Sequence, residues 1–292
     1  MRKKLIRSLE QYQRWRRGAR IEHPLYPKEV GLMLDDCIRV LRGLSDEQVD
    51  NILGKKLYVL VACEESQTVC KAFRDRGHIA FSCYLQECSG GHPEWHIIQD
   101  CLPLINGDCK FNTQDGKLHE QIGEWDLLIA HPPCTYMSKA GARWMYPTAG
   151  VLSQERYELA MEAKEFFNKF INAKCRYIAV ENPVPLKVVE LPPPSCAVQP
   201  YEYGEPFSKK TLLWLKNLPS LKPTNILSEY KPYLPSNTGG VSRGQKYSRG
   251  VAQNAKEASK TFKGIASAMA DQWSKHINNC KNEKKNSKNN FS

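Results

Sequence analysis

The chain has 292 residues, 41% of them hydrophobic and 25% charged, which suits a soluble globular protein with one sizeable domain and appendages, or two small domains. Its 42 Lys and Arg against 31 Asp and Glu leave a net charge of +11, an excess that points to an anionic partner, nucleic acid above all, and says nothing about fold. No apolar run is long enough to cross a bilayer, and Arg7, Glu10 and Gln11 interrupt what would otherwise start like a signal sequence, so a cytoplasmic protein without a membrane partner is expected.

Residues 1–56 read as a basic helical extension. Leu5, Leu9, Tyr12 and Trp15 recur at helical spacing among Arg7, Arg14, Arg16 and Arg17. Beyond Pro24, Pro27 suits a first helical position, and Val30, Leu34, Ile38 and Leu41 continue one face. Ser45 with Gln48 forms a capping box for a third helix. Two roles fit this pattern: an amphipathic extension packed on the main domain, and a basic arm for DNA or a partner.

From Leu57 strands and helices alternate. Leu57 to Ala62 is a buried strand, Ser66 to Arg76 its helix closed by Gly77, His78 to Cys83 a second strand, and Ile97 to Leu102 a third. The strand at 125–130 is followed by a helix capped by Ser153, with Leu159, Ala163, Phe166, Phe167 and Phe170 on one side. Arg176 to Val180 is another strand and Leu212 to Leu215 a late one. Alternation of this kind predicts an α/β fold, a mostly parallel, doubly wound sheet over 57–277. Residues 218–255, rich in Pro, Ser, Asn and Gly, read as a loop insert without a core. Within them Arg243, Lys246, Tyr247, Arg249 and Lys256 suit either a DNA-contacting loop or a solvated surface. A helix from Thr261 to Ile277 closes the domain with Phe262, Ile265, Ala266, Met269 and Trp273 inward, and the Lys- and Asn-rich residues 278–292 read as a disordered tail.

Two strand ends carry chemistry. Trp125 to Ala130 stops at His131-Pro132-Pro133-Cys134, because two prolines cannot continue a sheet ladder. The strand at 176–180 ends in Glu181-Asn182-Pro183. In a parallel sheet both turns lie on the carboxyl edge, where open α/β sheets bind ligands. A cysteine and a carboxylic acid there can act together on a nitrogen heterocycle, the thiolate as nucleophile and the acid protonating the ring.

The ordered set of Pro132-Pro133-Cys134 and Glu181-Asn182 resembles a DNA cytosine-5 methyltransferase of the compact kind found in phages, over roughly residues 57–275. The resemblance implies a Rossmann-like fold that binds S-adenosylmethionine, with double-stranded DNA as substrate and a monomer as the working unit. It makes Cys134 the nucleophile that adds to C6 of a flipped-out cytosine and Glu181 the acid at N3, before C5 takes the methyl group. Pro133, Asn182 and Lys210 fall beside the base, Lys210 standing where the family has an Arg-containing strand. The cofactor residues carried over are Ala62, Cys63, Glu64 and Ser66 in the turn after the first strand, then Tyr84, Asp100 and Pro132. Two departures stand out: that turn has no glycine, and Tyr84 ends the second strand in place of an acidic residue, with Glu87 three positions on.

The rival activities are an amino-methyltransferase, whose Pro-Pro turn would be followed by an aromatic rather than Cys134, and a catalytically silent DNA-binding relative. Eleven cysteines, an odd number without paired spacing, read as reduced thiols. Cys83, Cys88, His92 and His96 have spacings that suit zinc, but Gly90-Gly91-His92-Pro93 reads as an ordinary loop and no metal is expected.

Overall fold

Apolar runs bordered by turn residues become strands buried on both faces. The structure, a computed structural model, describes residue 34 and residues 55–234, 251–252 and 254–289. The chain divides into two units, Met1–Lys55 and Lys56–Ser292. In the first unit Leu34 is helical and exposed, and the other helical expectations there fall outside the described residues. So do Arg243, Lys246, Tyr247 and Arg249.

In the second unit the strands are β1 (Tyr58–Ala62), β2 (Ile79–Tyr84), β3 (His96–Ile98), β4 (Cys109–Asn112), β5 (Leu118–Gln121), β6 (Leu127–Ala130), β7 (Ile178–Pro183), β8 (Cys196–Val198), β9 (Phe207–Ser208), β10 (Thr211–Lys216) and β11 (Lys231–Pro232). The α-helices are α1 (Thr68–Arg74), α2 (Ala142–Met145), α3 (Gln154–Ile171), α4 (Ala255–Ser259) and α5 (Lys263–Asn289). Seven strands form one sheet in the order β3-β2-β1-β6-β7-β10-β8. The first five of these run parallel, and β10 is antiparallel to both of its neighbours. This is a Rossmann-like α/β fold. Its strand order reverses between β1 and β6, which opens a crevice at their carboxyl ends.

Alternation along each central strand feeds two cores. Leu60, Ala62, Leu128 and Ala130 face the side covered by Phe167 and Phe170 of α3. Val59, Val61, Leu127 and Ile129 face Val69 and Phe73 of α1 and Met269, Trp273 and Ile277 of α5. Strands so enclosed read as continuous apolar runs, which is why they were legible in sequence. Ser153 caps α3 by accepting the Arg156 N–H. The first turn of α5 lies against the chain at Tyr203, where a Cβ on Gly264 would sit 2.1 Å from the Tyr203 carbonyl oxygen.

Three expectations change. The 278–292 stretch is not a tail from its start: α5 continues to Asn289, with Cys280 packed at Tyr177 and Lys281 paired with Asp126, so contacts to the domain outlast the apolar pattern. The third strand is shorter than predicted because Asp100 accepts the Leu102 N–H and turns the chain. The 218–255 insert is not without a core over its described residues 218–234: Leu221 is buried, Tyr230 stacks on Tyr201 at 4.0 Å, and β11 pairs with β9. The β4–β5 hairpin, absent from the sequence reading, is held by Phe111 against Phe81 at 5.1 Å rather than by an alternating pattern of its own.

Phe167 is fully buried and meets the Trp214 ring edge-on at 5.0 Å, tying α3 to β10. Phe167→Ala is expected to lower unfolding stability by about 3–5 kcal/mol, read from urea denaturation. A loss below about 1 kcal/mol would contradict this packing.

Candidate active site

The strand register assembles the site. Ala62 pairs with Ala130, and Ala130 with Val180, so the turns after β1 and β6 leave the sheet beside Glu181, which is not in a turn as expected but within β7, still paired with β10. His131 extends β6 by one more bond, its N–H to the Ala62 carbonyl at 3.0 Å. Pro132 and Pro133 then end the ladder. Asn182, buried on β7, donates from Nδ2 to the Pro132 carbonyl at 2.8 Å, which fixes the Pro-Pro-Cys turn to the neighbouring strand. Beyond it, the Cys134 carbonyl accepts the N–H groups of Met137 and Ser138, and Leu186 N–H bonds to Met137 O at 2.7 Å. Arg156 of α3 secures the same loop, donating to Thr135 O at 2.5 Å and lying 4.3 Å from the Tyr136 ring centre.

Glu181 and Lys209 act on Cys134, and His131 joins them through Glu181. The Glu181 carboxylate bonds through Oε2 to His131 Nδ1 at 3.1 Å, with both side chains largely buried. Lys209 reaches the same place from the segment before β10, its backbone N–H held by Gln199 and its ammonium donating to the Lys260 carbonyl at 3.2 Å. Because β10 runs antiparallel to β7, the residues before Thr211 lie at the end of β7 that bears Glu181.

These neighbours set the protonation states. Burial pushes the Cys134 thiol above its ordinary pKa, Glu181 pushes it further, and Lys209 opposes both. Burial lowers the Lys209 ammonium, against the pull of Glu181 and Cys134. For His131, burial is the largest influence and acts downward, but the hydrogen bond and charge of Glu181, with Glu64 added, outweigh it and leave the imidazole above its ordinary value. Burial raises Glu64, against the charge of His131 and two backbone hydrogen bonds.

The residues expected to hold a cofactor lie along the carboxyl ends of β1, β2 and β3. Cys63 adopts φ 60°, the left-handed turn that a glycine would otherwise supply, with its sulfur 3.7 Å from that of Cys101. Glu64 is committed elsewhere: its carboxylate accepts the N–H groups of Val69 (2.7 Å) and Cys70 (3.1 Å) at the start of α1. Ser66 bonds Thr68 within the same turn. Tyr84 is half-buried at the end of β2, while Glu87 and Asp100 are exposed on the same edge. Pro132 is buried and Pro133 exposed.

Lys210 does not join the group. It is exposed, and the neighbouring Lys209 faces Cys134 and Glu181 instead. Composition could not separate adjacent lysines. The fixed start of β10 at Thr211 does. His131 was missed as well: it was visible in the motif, but its bond to Glu181 needs the register of β6 on β7.

The spacing suited to zinc does not converge. His96 uses both ring nitrogens, on Ser82 Oγ and the Gln86 carbonyl, each at 2.8 Å. His92 is paired with Glu94 and stacked on Trp95, and Cys83 donates to the Gln99 carbonyl. Buried Gln67 clamps the loop by bonding both backbone polar groups of His92. Among the described residues no group of three or more His, Cys, Asp or Glu is placed to hold a metal, and no helix is long and apolar enough to cross a membrane.

No protein-family model matches this chain, and no curated protein matches it. Among solved structures, one match is described as a DNA modification methyltransferase encoded within a prophage (E. coli), at 13% identity and a TM-score of 0.32. The match covers 55% of this chain and 46% of that one, so it spans less than half of the matched chain. A likeness this slight does not bear on function.

The opposed charges at Cys134 give a test of the geometry. Lys209→Met is expected to slow alkylation of Cys134 by iodoacetamide at fixed pH, and Glu181→Gln to speed it, because thiolate is the reacting form. Peptide mapping by mass spectrometry reads the site. The same direction of change in both variants would contradict the arrangement.

Proposed function

We propose that this chain transfers a methyl group from S-adenosylmethionine to C5 of cytosine in double-stranded DNA, acting as a monomer in the cytoplasm. The observation that carries the reading is the shared edge: Cys134, in the turn after β6, and Glu181, on the adjoining parallel strand β7, both lie within the electrostatic reach of Lys209. In this reading Cys134 Sγ adds to C6 of an extruded cytosine while Glu181 supplies a proton to N3. The electron pair this places on C5 forms the bond to the methyl group. Loss of the C5 proton to water, return of the N3 proton to Glu181 and cleavage of the Sγ–C6 bond then restore the enzyme.

The raised thiol leaves Cys134 protonated in the resting protein, so the nucleophile has to ionise in the complex, its proton passing to water. Lys209 is the group that favours this and takes the role first given to Lys210. The ammonium of Lys209 also suits the carbonyl oxygen of the pyrimidine. Pro133 flanks the base from its turn, whereas Asn182, buried on β7, serves the base by holding that turn through the Pro132 carbonyl and not by touching it.

The cofactor, when bound, supplies an electrophilic methyl group. The donor set fits it: the carboxylates of Asp100 and Glu87 and the phenol of Tyr84 lie at the ends of β2 and β3, suited to amino and hydroxyl donors, beside the crevice between β1 and β6. Glu64 serves this edge through α1, by holding the turn of Ala62, Cys63 and Ser66, and Pro132 closes the far side.

An amino-methyltransferase would stack an aromatic on its base at this turn. Here the nearest aromatic after the prolines is Tyr136, and the Arg156 guanidinium already lies over its ring. A silent binding relative would have no need of a paired acid and cation at Cys134.

Cys134→Ala should abolish methyl transfer and leave DNA affinity within a few-fold. Duplex DNA with 5-fluorocytosine should trap the wild-type protein covalently when S-adenosylmethionine is present, since fluorine cannot leave as the proton does. Methylation by the Ala variant would remove Cys134 from the mechanism.

With +11 overall, DNA binding should weaken at least tenfold between about 50 and 200 mM salt through counterion release. A change below about twofold over that range, by fluorescence anisotropy, would mean that phosphate contacts do not dominate.

A further inference from the structure

The chemistry above uses Cys134, Glu181 and Lys209 and leaves His131 without a role. The His131 side chain is 10% exposed. Three charged groups face it, one from each neighbouring element: Glu181 on β7, Glu64 after β1, and Lys209 before β10. Nδ1 lies 3.1 Å from Glu181 Oε2, and Nε2 is buried with no hydrogen-bond partner among the described residues. A buried nitrogen without a partner gives up its solvation for nothing, so a ring kept here as mere scaffolding weakens the fold. The register also leaves no slack: His131 N–H is fixed on Ala62, and Pro132 follows.

A carboxylate beside the nucleophile is, taken alone, a hindrance. Glu181 raises the Cys134 thiol, so an unpaired charge there opposes the first step. An imidazolium on Oε2 offsets that charge and holds the proton the reaction needs. Resting on the cytosine C5 reading, we propose that His131 is a positioning residue for Glu181: its Nδ1–H fixes one carboxylate oxygen, and its ring stores the proton that Glu181 gives to N3 of the pyrimidine. As Cys134 Sγ bonds to C6, the Nδ1–H bond breaks, an O–H bond forms on Glu181, and the carboxyl proton passes to N3, leaving a neutral imidazole. When the Sγ–C6 bond later breaks, N3 returns its proton by the same route and the imidazolium is restored.

The experiment is the rate of covalent capture on 5-fluorocytosine DNA, with S-adenosylmethionine present, against pH for the wild type and His131→Gln. Wild type needs an imidazolium and a thiolate, the thiolate ionising at the higher pH. Its rate therefore climbs, then levels off above the imidazole pKa, where gain of thiolate and loss of imidazolium cancel. Glutamine can still donate to Glu181 but cannot store a proton. His131→Gln should be slower by about a hundredfold at the wild-type plateau and should go on climbing toward the thiol's ionisation. Capture by His131→Gln at the wild-type rate and with the wild-type profile would overturn the proposal alone. No Cys134-dependent capture by wild type would overturn the methylation reading, and this proposal with it.

A measurement without DNA or cofactor guards against a folding defect in the variant. In a nitrogen-15 titration of the imidazole, wild-type His131 should titrate above the ordinary 6.5 and fall in Glu181→Gln. The same midpoint in both proteins would overturn the proposal.

Discussion

The candidate site depends on one constraint, the in-register parallel pairing that sets Ala62 beside Ala130 and Ala130 beside Val180. Just beyond that level lie Glu64 and His131, where β1 and β6 leave the sheet, and Glu181, on the continuing β7. A slip of one residue would turn every side chain to the opposite face. Here it would carry Leu60 and Leu128 out of the α3 core and Val59 and Leu127 out of the α1–α5 core, so both layers enforce the register. The chemistry at the edge is thus positioned by apolar packing well below it.

What the register creates is a buried group of opposed charges. Glu64 and Glu181 are acids, His131 and Lys209 bases, and Cys134 sits among them. Burying any one of these alone would shift it toward its neutral form; burying them together lets the charged forms offset one another. Glu64 keeps two strong backbone donors at the start of α1, while the Glu181 carboxylate, among the described residues, bonds the imidazole of His131. The two carboxylates therefore divide into a structural group and a reactive one. The distinction comes from their partners and not from residue type.

The sequence revealed the layers more readily than the site. Continuous runs such as Leu57 to Ala62 and 125–130 exposed the strands because both faces are buried, and the helical spacing of Phe166, Phe167 and Phe170 exposed α3 because one face is. The prolines after His131 marked the edge for a local reason, the loss of ladder hydrogen bonds. The β4–β5 hairpin carried no such mark, since Phe111 gains its burial from Phe81 and Trp125, distant in the chain. Lys209 against Lys210, and the bond from His131 to Glu181, were illegible for the same reason: each is fixed by strand pairing across about 25 to 80 residues of chain. The end of α5 escaped because Lys and Asn dominate it, while its hold on the domain comes from single contacts such as Lys281 with Asp126.

The central claim concerns the atom that receives the methyl group. Incubating unmethylated duplex DNA with the purified chain and S-adenosylmethionine, then digesting to nucleosides for mass spectrometry, tests it directly. The account predicts 5-methyldeoxycytidine and no N4-methyldeoxycytidine or N6-methyldeoxyadenosine. A methyl group on an exocyclic nitrogen, or no methylated nucleoside at all, would contradict it.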